Sequence, residues 1–134
     1  MPKVNKSALI RKASRAREKA CAPYSKFKVG AALLAKDGTV FTGANVESAS
    51  YGLTCCAERV ALFHALTSGT KEFTAIAVVA RIDGGAMPCG ACRQLLSEYA
   101  PNALVFVSDS EDLGTIKEFT IRELLPGAFV FPQA

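Results

Sequence analysis

The sequence predicts one α/β domain, a three-layer arrangement in which a mixed sheet of about five strands carries helices on both faces. Three observations lead there. Residues 27–36 alternate in polarity up to an Asp37-Gly38 pair, which reads as the first arm of a hairpin. Two short, continuous apolar runs, residues 75–80 and 103–107, each follow a helical stretch, the pattern of buried strands joined by right-handed crossovers. The 134 residues contain no linker, repeat or low-complexity stretch, so residues 1–134 are expected to form a single domain.

Taken in order, residues 5–21 form an amphipathic helix, with Leu9, Ala13, Ala16 and Ala20 at helical spacing and Lys12, Arg15 and Lys19 on another face. Asn5 is placed to cap it, Val4 and Leu9 to staple it, and Pro23 to stop it. In the first strand, Phe27, Val29, Ala31, Leu33 and Ala35 share a face. Asp37-Gly38 reads as a two-residue turn, because both residue types tolerate positive φ. The return strand, residues 39–44, runs into a polar loop, 45–52. Residues 56–67 form a second helix that is apolar nearly all round, so burial on more than one side is expected. The 75–80 run reads as a central parallel strand, residues 90–99 as a third helix stopped by Pro101, and residues 103–107 as another buried strand. Residues 115–119 form a last strand, and Thr120 with Glu123 gives a capping box for one short helical turn.

Composition narrows the function. The net charge of +4 is concentrated: seven Lys and Arg side chains stand against Glu18 alone in the first twenty residues, a segment of +6 before a remainder of −2. No aromatic residues interleave with these charges and no later basic stripe joins them, so they read as a solvated helix face and no nucleic-acid partner is expected. No apolar run approaches the roughly 18 residues that cross a membrane, and the N-terminus lacks a secretory apolar region, so a cytoplasmic location is expected. Five cysteines, an odd number in close groups, favour metal binding or catalysis over disulfides in such a chain.

Two segments carry the chemistry: Cys55-Cys56-Ala57-Glu58-Arg59 and Pro88-Cys89-Gly90-Ala91-Cys92-Arg93, each at a predicted helix start. Unpaired N–H groups and the helix dipole stabilise thiolates there. Two such helices converging offer Cys56, Cys89 and Cys92 to one soft divalent ion, for which Zn2+ is the natural candidate. Three protein ligands leave a tetrahedral position for water, the mark of a catalytic site. Glu58, inside the first turn, is placed to move protons between water and a substrate. The sole histidine, His64, lies two turns along and is not expected to be a ligand. Cys55 raises a register question, since either adjacent thiol can face a metal; the C-x-E spacing points to Cys56, with Cys55 and Cys21 as packing residues. Three thiolates give Zn2+ an excess negative charge, and Arg59 is positioned to donate to the sulfurs and restore Lewis acidity.

The pairing of C-A-E with P-C-G-A-C is the all-cysteine relative of the H-x-E and P-C-x-x-C pattern of zinc deaminases. Through residues 24–32, 45–52, 56–59, 88–94 and 124–129 the chain resembles the short, homotetrameric cytidine deaminases over nearly its whole length. The resemblance implies the cytidine-deaminase-like fold, zinc at Cys56, Cys89 and Cys92, and Glu58 as proton shuttle. It implies that Asn45 and Glu47 bind ribose hydroxyls, and that Phe27, Tyr51 and Ala57 line the substrate pocket. Phe129 would reach in from a neighbouring subunit. The implied reaction is hydrolytic deamination of cytidine, and of deoxycytidine, to the uridine product and ammonia, in pyrimidine salvage. Asn45 and Glu47, two apart at a strand end, can point the same way and offer an amide and a carboxylate to neighbouring hydroxyls. Alternatives stay open: a deaminase of another base, a nucleoside analogue or a polynucleotide, or a non-catalytic zinc module closed by Cys55, Cys21 or His64 as fourth ligand.

Overall fold

The computed structural model describes residues 4–132. Its first helix, α1 (Lys6–Arg17), starts where the capping chemistry places it: the Asn5 side chain accepts a hydrogen bond from the Ala8 N–H at 3.0 Å. It ends before residue 21, because Cys21 is drawn into an extended bridge beside Val46. The Cys21 N–H donates to the Asn45 carbonyl and the Glu47 N–H to the Cys21 carbonyl. Tertiary pairing overrides the helical pattern there.

Strands β1 (Val29–Ala35) and β2 (Val40–Ala44) form the hairpin. The turn is longer than the two-residue form expected. The Gly38 N–H donates to the Ala35 carbonyl and the Ala35 N–H to the Thr39 carbonyl, so three residues make the loop. Only Gly38, at φ +95°, is left-handed; Asp37 instead accepts from the Thr39 N–H at 2.9 Å, which holds its carboxyl below the ordinary range. Helix α2 (Ala57–Thr67) follows, then β3 (Phe73–Ala80), α3 (Gly90–Tyr99), β4 (Leu104–Asp109), β5 (Asp112–Thr120) and the short α4 (Ile121–Leu124). Thr120 and Glu123 make the capping box of α4.

The sheet runs β2-β1-β3-β4-β5, with β3 parallel to β4 and every other pair antiparallel. β3 is central as expected, but only one of its neighbours is parallel. Period-two alternation divides the core. Ala31, Leu33, Ile76, Val78, Val105 and Val107 meet Ala57, Ala61, Leu62 and Ala65 of α2 and Leu96 of α3. On the other face Ala32, Ala75, Ala77, Val79 and Phe106 meet Leu9, Ile10 and Ala13 of α1. The chain is therefore a mixed five-stranded sheet between helices on both faces. Helix α2 buries one stripe rather than its whole circumference, and Phe63 stays exposed. Its N-terminal half lies close on β2: a Cβ added at Gly43 would sit 2.5 Å from the Ala57 carbonyl oxygen, so only glycine permits the approach that brings Cys56 to the strand ends. No helix among the described residues is long and apolar enough to cross a membrane.

Candidate active site

Cysteine occupies the cap position of two helices. Cys56 precedes α2 and Cys89 precedes α3, both in extended backbone, and neither side chain caps a backbone N–H of its own helix. A capping Ser or Asp there would add about 1 kcal/mol; the sulfurs instead face one another. Cys56 Sγ lies 3.7 Å from Cys89 Sγ, which lies 3.5 Å from Cys92 Sγ, and all three fall within 4.8 Å of one another. Sulfurs bound to one zinc ion at tetrahedral angles and about 2.3 Å stand about 3.8 Å apart. The donor set and its spacing thus fit zinc, with a fourth position left over.

The neighbouring Cys92 thiol, with donation from Arg59, lowers the Cys56 thiol, while the same Cys56 neighbour and burial push Cys92 up. Arg59 Nη2 donates to Cys56 Sγ at 3.3 Å and to the Thr54 carbonyl at 3.2 Å, and its Nε is buried without a protein partner. The Cys56 thiolate holds this guanidinium charged. Glu58 is 5% exposed, in the first turn of α2, and loss of solvation raises its carboxyl to about 7, the Cys56 thiolate adding to the rise.

An isolated bridge before α2 places the two adjacent thiols differently. Cys55 exchanges both backbone hydrogen bonds with Val46, while the sulfur of Cys56 joins the other two. Cys55 is half-buried, and burial raises its thiol. His64 packs edge-on against Phe41, with ring centroids 5.2 Å apart, and Cys21 is exposed; neither belongs to the sulfur group.

The residues expected to read a sugar are nearby in sequence but differently engaged. Asn45 is 8% exposed; its Oδ1 accepts from the Val29 N–H at 2.8 Å and its Nδ2 donates to the Phe27 carbonyl at 2.9 Å. One N–H and one lone pair remain for another partner. Glu47 Oε1 accepts from the N–H groups of Tyr24 at 3.0 Å and Ser25 at 3.1 Å, and Oε2 accepts from the Ser25 hydroxyl. These donors hold its carboxyl below the usual carboxylate range. They also fix a tight strap in which Lys26 is left-handed at φ +62° and the Phe27 N–H donates to Ser25 Oγ. Tyr24, Ser25, Glu47, Ser48, Tyr51 and Thr54 line an open cavity of about 380 Å³. Phe27 edges into solvent, Ala57 is buried, Tyr51 is 82% exposed and Phe129 is 66% exposed. Sequence reasoning missed Ser25 and Thr54 as partners of Glu47 and Arg59, since neither lies on a shared helical turn with the group it contacts.

A layered α/β domain that gathers three thiols at two helix N-termini, beside a buried carboxyl of near-neutral pKa, defines a zinc-dependent hydrolytic enzyme. Residues 3–108 match the model of the cytidine and deoxycytidylate deaminase zinc-binding region, and the chain belongs to that family. It is 53% identical to a cytidine deaminase of Halalkalibacterium halodurans, over 94% of this chain and 95% of that one. The crystal structure of cytidine deaminase from Burkholderia pseudomallei superposes with a TM-score of 0.89 at 51% identity, covering 94% of this chain and 100% of that one. That from Mycobacterium tuberculosis gives 0.83 at 38% identity, over 96% and 100%.

Proposed function

We propose that this protein deaminates cytidine, and deoxycytidine, by adding water at C4 and releasing ammonia. The observation that carries the reading is the sulfur trio at two helix starts with Glu58 buried beside it. Cys56, Cys89 and Cys92 would hold the zinc ion, which supplies the positive charge that lets water react near neutral pH. Glu58, at about 7, is poised both to accept and to donate a proton at that pH. It takes a proton from the attacking water and delivers it to N3 as the oxygen bonds to C4, then moves the remaining hydroxyl proton to the exocyclic amine, which leaves as ammonia while C4=O forms. Arg59 withdraws negative charge from Cys56 and so favours the acidity of the water. The strap held by Glu47 presents Phe27 to the base, Asn45 and Glu47 offer their remaining hydrogen-bonding capacity to ribose hydroxyls, and Ala57 lines the pocket.

The exposure of the apolar side chains of Tyr51, Phe129, Val130 and Phe131 is high for one chain. It supports a homotetramer in which Tyr51 and Phe129 meet a substrate at subunit interfaces; light scattering on the purified protein reads the mass directly. Five free cysteines suit a reducing, cytoplasmic setting. The deciding experiment follows ultraviolet absorbance of cytidine with and without a zinc chelator, beside Glu58→Ala. Chelator-sensitive turnover that this variant lacks supports the reading; wild-type protein that holds zinc but turns over only adenosine, blasticidin or an oligonucleotide refutes it.

A further inference from the structure

The geometry points to Arg93 as a positioning residue that fixes the second cysteine limb and the C-terminal segment with a single guanidinium. Arg93 sits in the first turn of α3, directly after Cys92. Its Nε donates to the Pro88 carbonyl at 2.7 Å, and its Nη1 donates to the Leu124 carbonyl at 2.8 Å. Both acceptors need a donor. Pro88 is fully buried and immediately precedes Cys89, and Leu124 closes the four-residue α4, where helix carbonyls have no partner within the helix. The neighbouring Gln94 Nε2 donates to the Phe129 carbonyl at 3.3 Å, so two consecutive residues of α3 hold the segment that follows α4.

The two bonds leave different nitrogens of one rigid, planar group. The Pro88 bond sets the backbone entering the Cys89 cap, and hence where Cys89 Sγ stands relative to Cys92 and Cys56. The Leu124 bond sets where the 125–129 segment leaves the domain. A guanidinium spans two carbonyls with its orientation fixed, whereas an ammonium on a flexible stem does not hold both at once. Arg93 touches no cysteine sulfur in the described contacts; it acts through Cys89 on the metal and through residues 125–129 on the substrate. This second effect rests on the proposed place of Phe129 at the substrate.

The test uses the zinc-loaded protein and two variants, Arg93→Ala and Arg93→Lys. Zinc transfer to a colorimetric chelator is timed first, then kcat and KM for cytidine are measured, alone and combined with Phe129→Ala. Arg93→Ala is expected to release zinc about tenfold faster and to raise KM about tenfold, with kcat changed less than about threefold. Arg93→Lys, which keeps the charge and spares the fold, is expected to show about threefold of each effect. In the double variant with Phe129→Ala the KM effects should fall short of their product, since both act on one segment. Wild-type zinc release in Arg93→Lys, or KM effects that multiply fully, overturns the proposal. Because zinc release is read without substrate, failure on cytidine as such would sink the proposed function and leave the positioning role of Arg93 standing.

Discussion

Glu58 and Glu47 flank Cys56 in sequence and live under opposite conditions. Glu58 is buried with its acidity weakened to about 7, because an ionised carboxylate there loses its water and faces a thiolate. Glu47 is half-buried and collects three donors, from the Ser25 hydroxyl and the Tyr24 and Ser25 N–H groups, which keep it ionised. One side chain is suited to the proposed proton transfer by losing solvent, the other is kept a permanent acceptor by the donors around it. In the proposed mechanism the difference separates the chemical step from the organisation of the 24–27 strap.

Exchanging the proposed proton carrier breaks the comparison most severely. Glu58→Gln should lower kcat by about 10³- to 10⁴-fold while zinc stoichiometry, read by metal analysis, stays at the wild-type value. Arg59→Ala leaves Glu58 intact but removes the donor to Cys56, and kcat should fall about 10- to 100-fold with KM within about threefold. Near-normal turnover in that variant would refute its role. On the other side, Glu47→Ala should raise KM about tenfold with a smaller change in kcat, since it releases the strap that carries Phe27.

The pH behaviour of Glu47 has a definite sign. Its folded pKa is depressed, so its contribution to the order of the strap is present above the ordinary carboxylate value of about 4.3 and is lost only as pH falls through the lower folded value. Carbon NMR of the Glu47 carboxyl should give a midpoint below about 4.3, and Ser25→Ala should move it upward, removing the largest cause of the shift. The smallest effect belongs to Cys55→Ala, expected to change zinc content and turnover by less than about twofold, whereas Cys56→Ala should lose the metal. Zinc loss in Cys55→Ala would reassign the ligand.

Much of the fold was legible because its signals are local. The Asn5 cap, the Thr120–Glu123 box and the residue range of α3 follow from capping chemistry and apolar spacing that act within a turn. The early end of α1 was not legible, because Cys21 leaves the helix for a bridge to Val46, a partner distant in sequence. The hairpin loop lengthened because Asp37 bonds the Thr39 N–H in place of adopting positive φ. Asn45 offers the same kind of lesson: residue type announces an amide, and only the β1–β2 geometry turns it toward Phe27 and Val29.

By itself the sequence determined which atoms the site contains. Cys56, Glu58 and Arg59 share one helical turn, as do Cys89, Cys92 and Arg93, and helical geometry fixes such neighbours wherever the helix goes. Only the tertiary structure brought Cys56 to 3.7 Å from Cys89, because that distance depends on how α2 and α3 pack on one face of the sheet. It also decided the acidity of Glu58 and Glu47, since desolvation and hydrogen bonding are properties of the surroundings and not of the side chain.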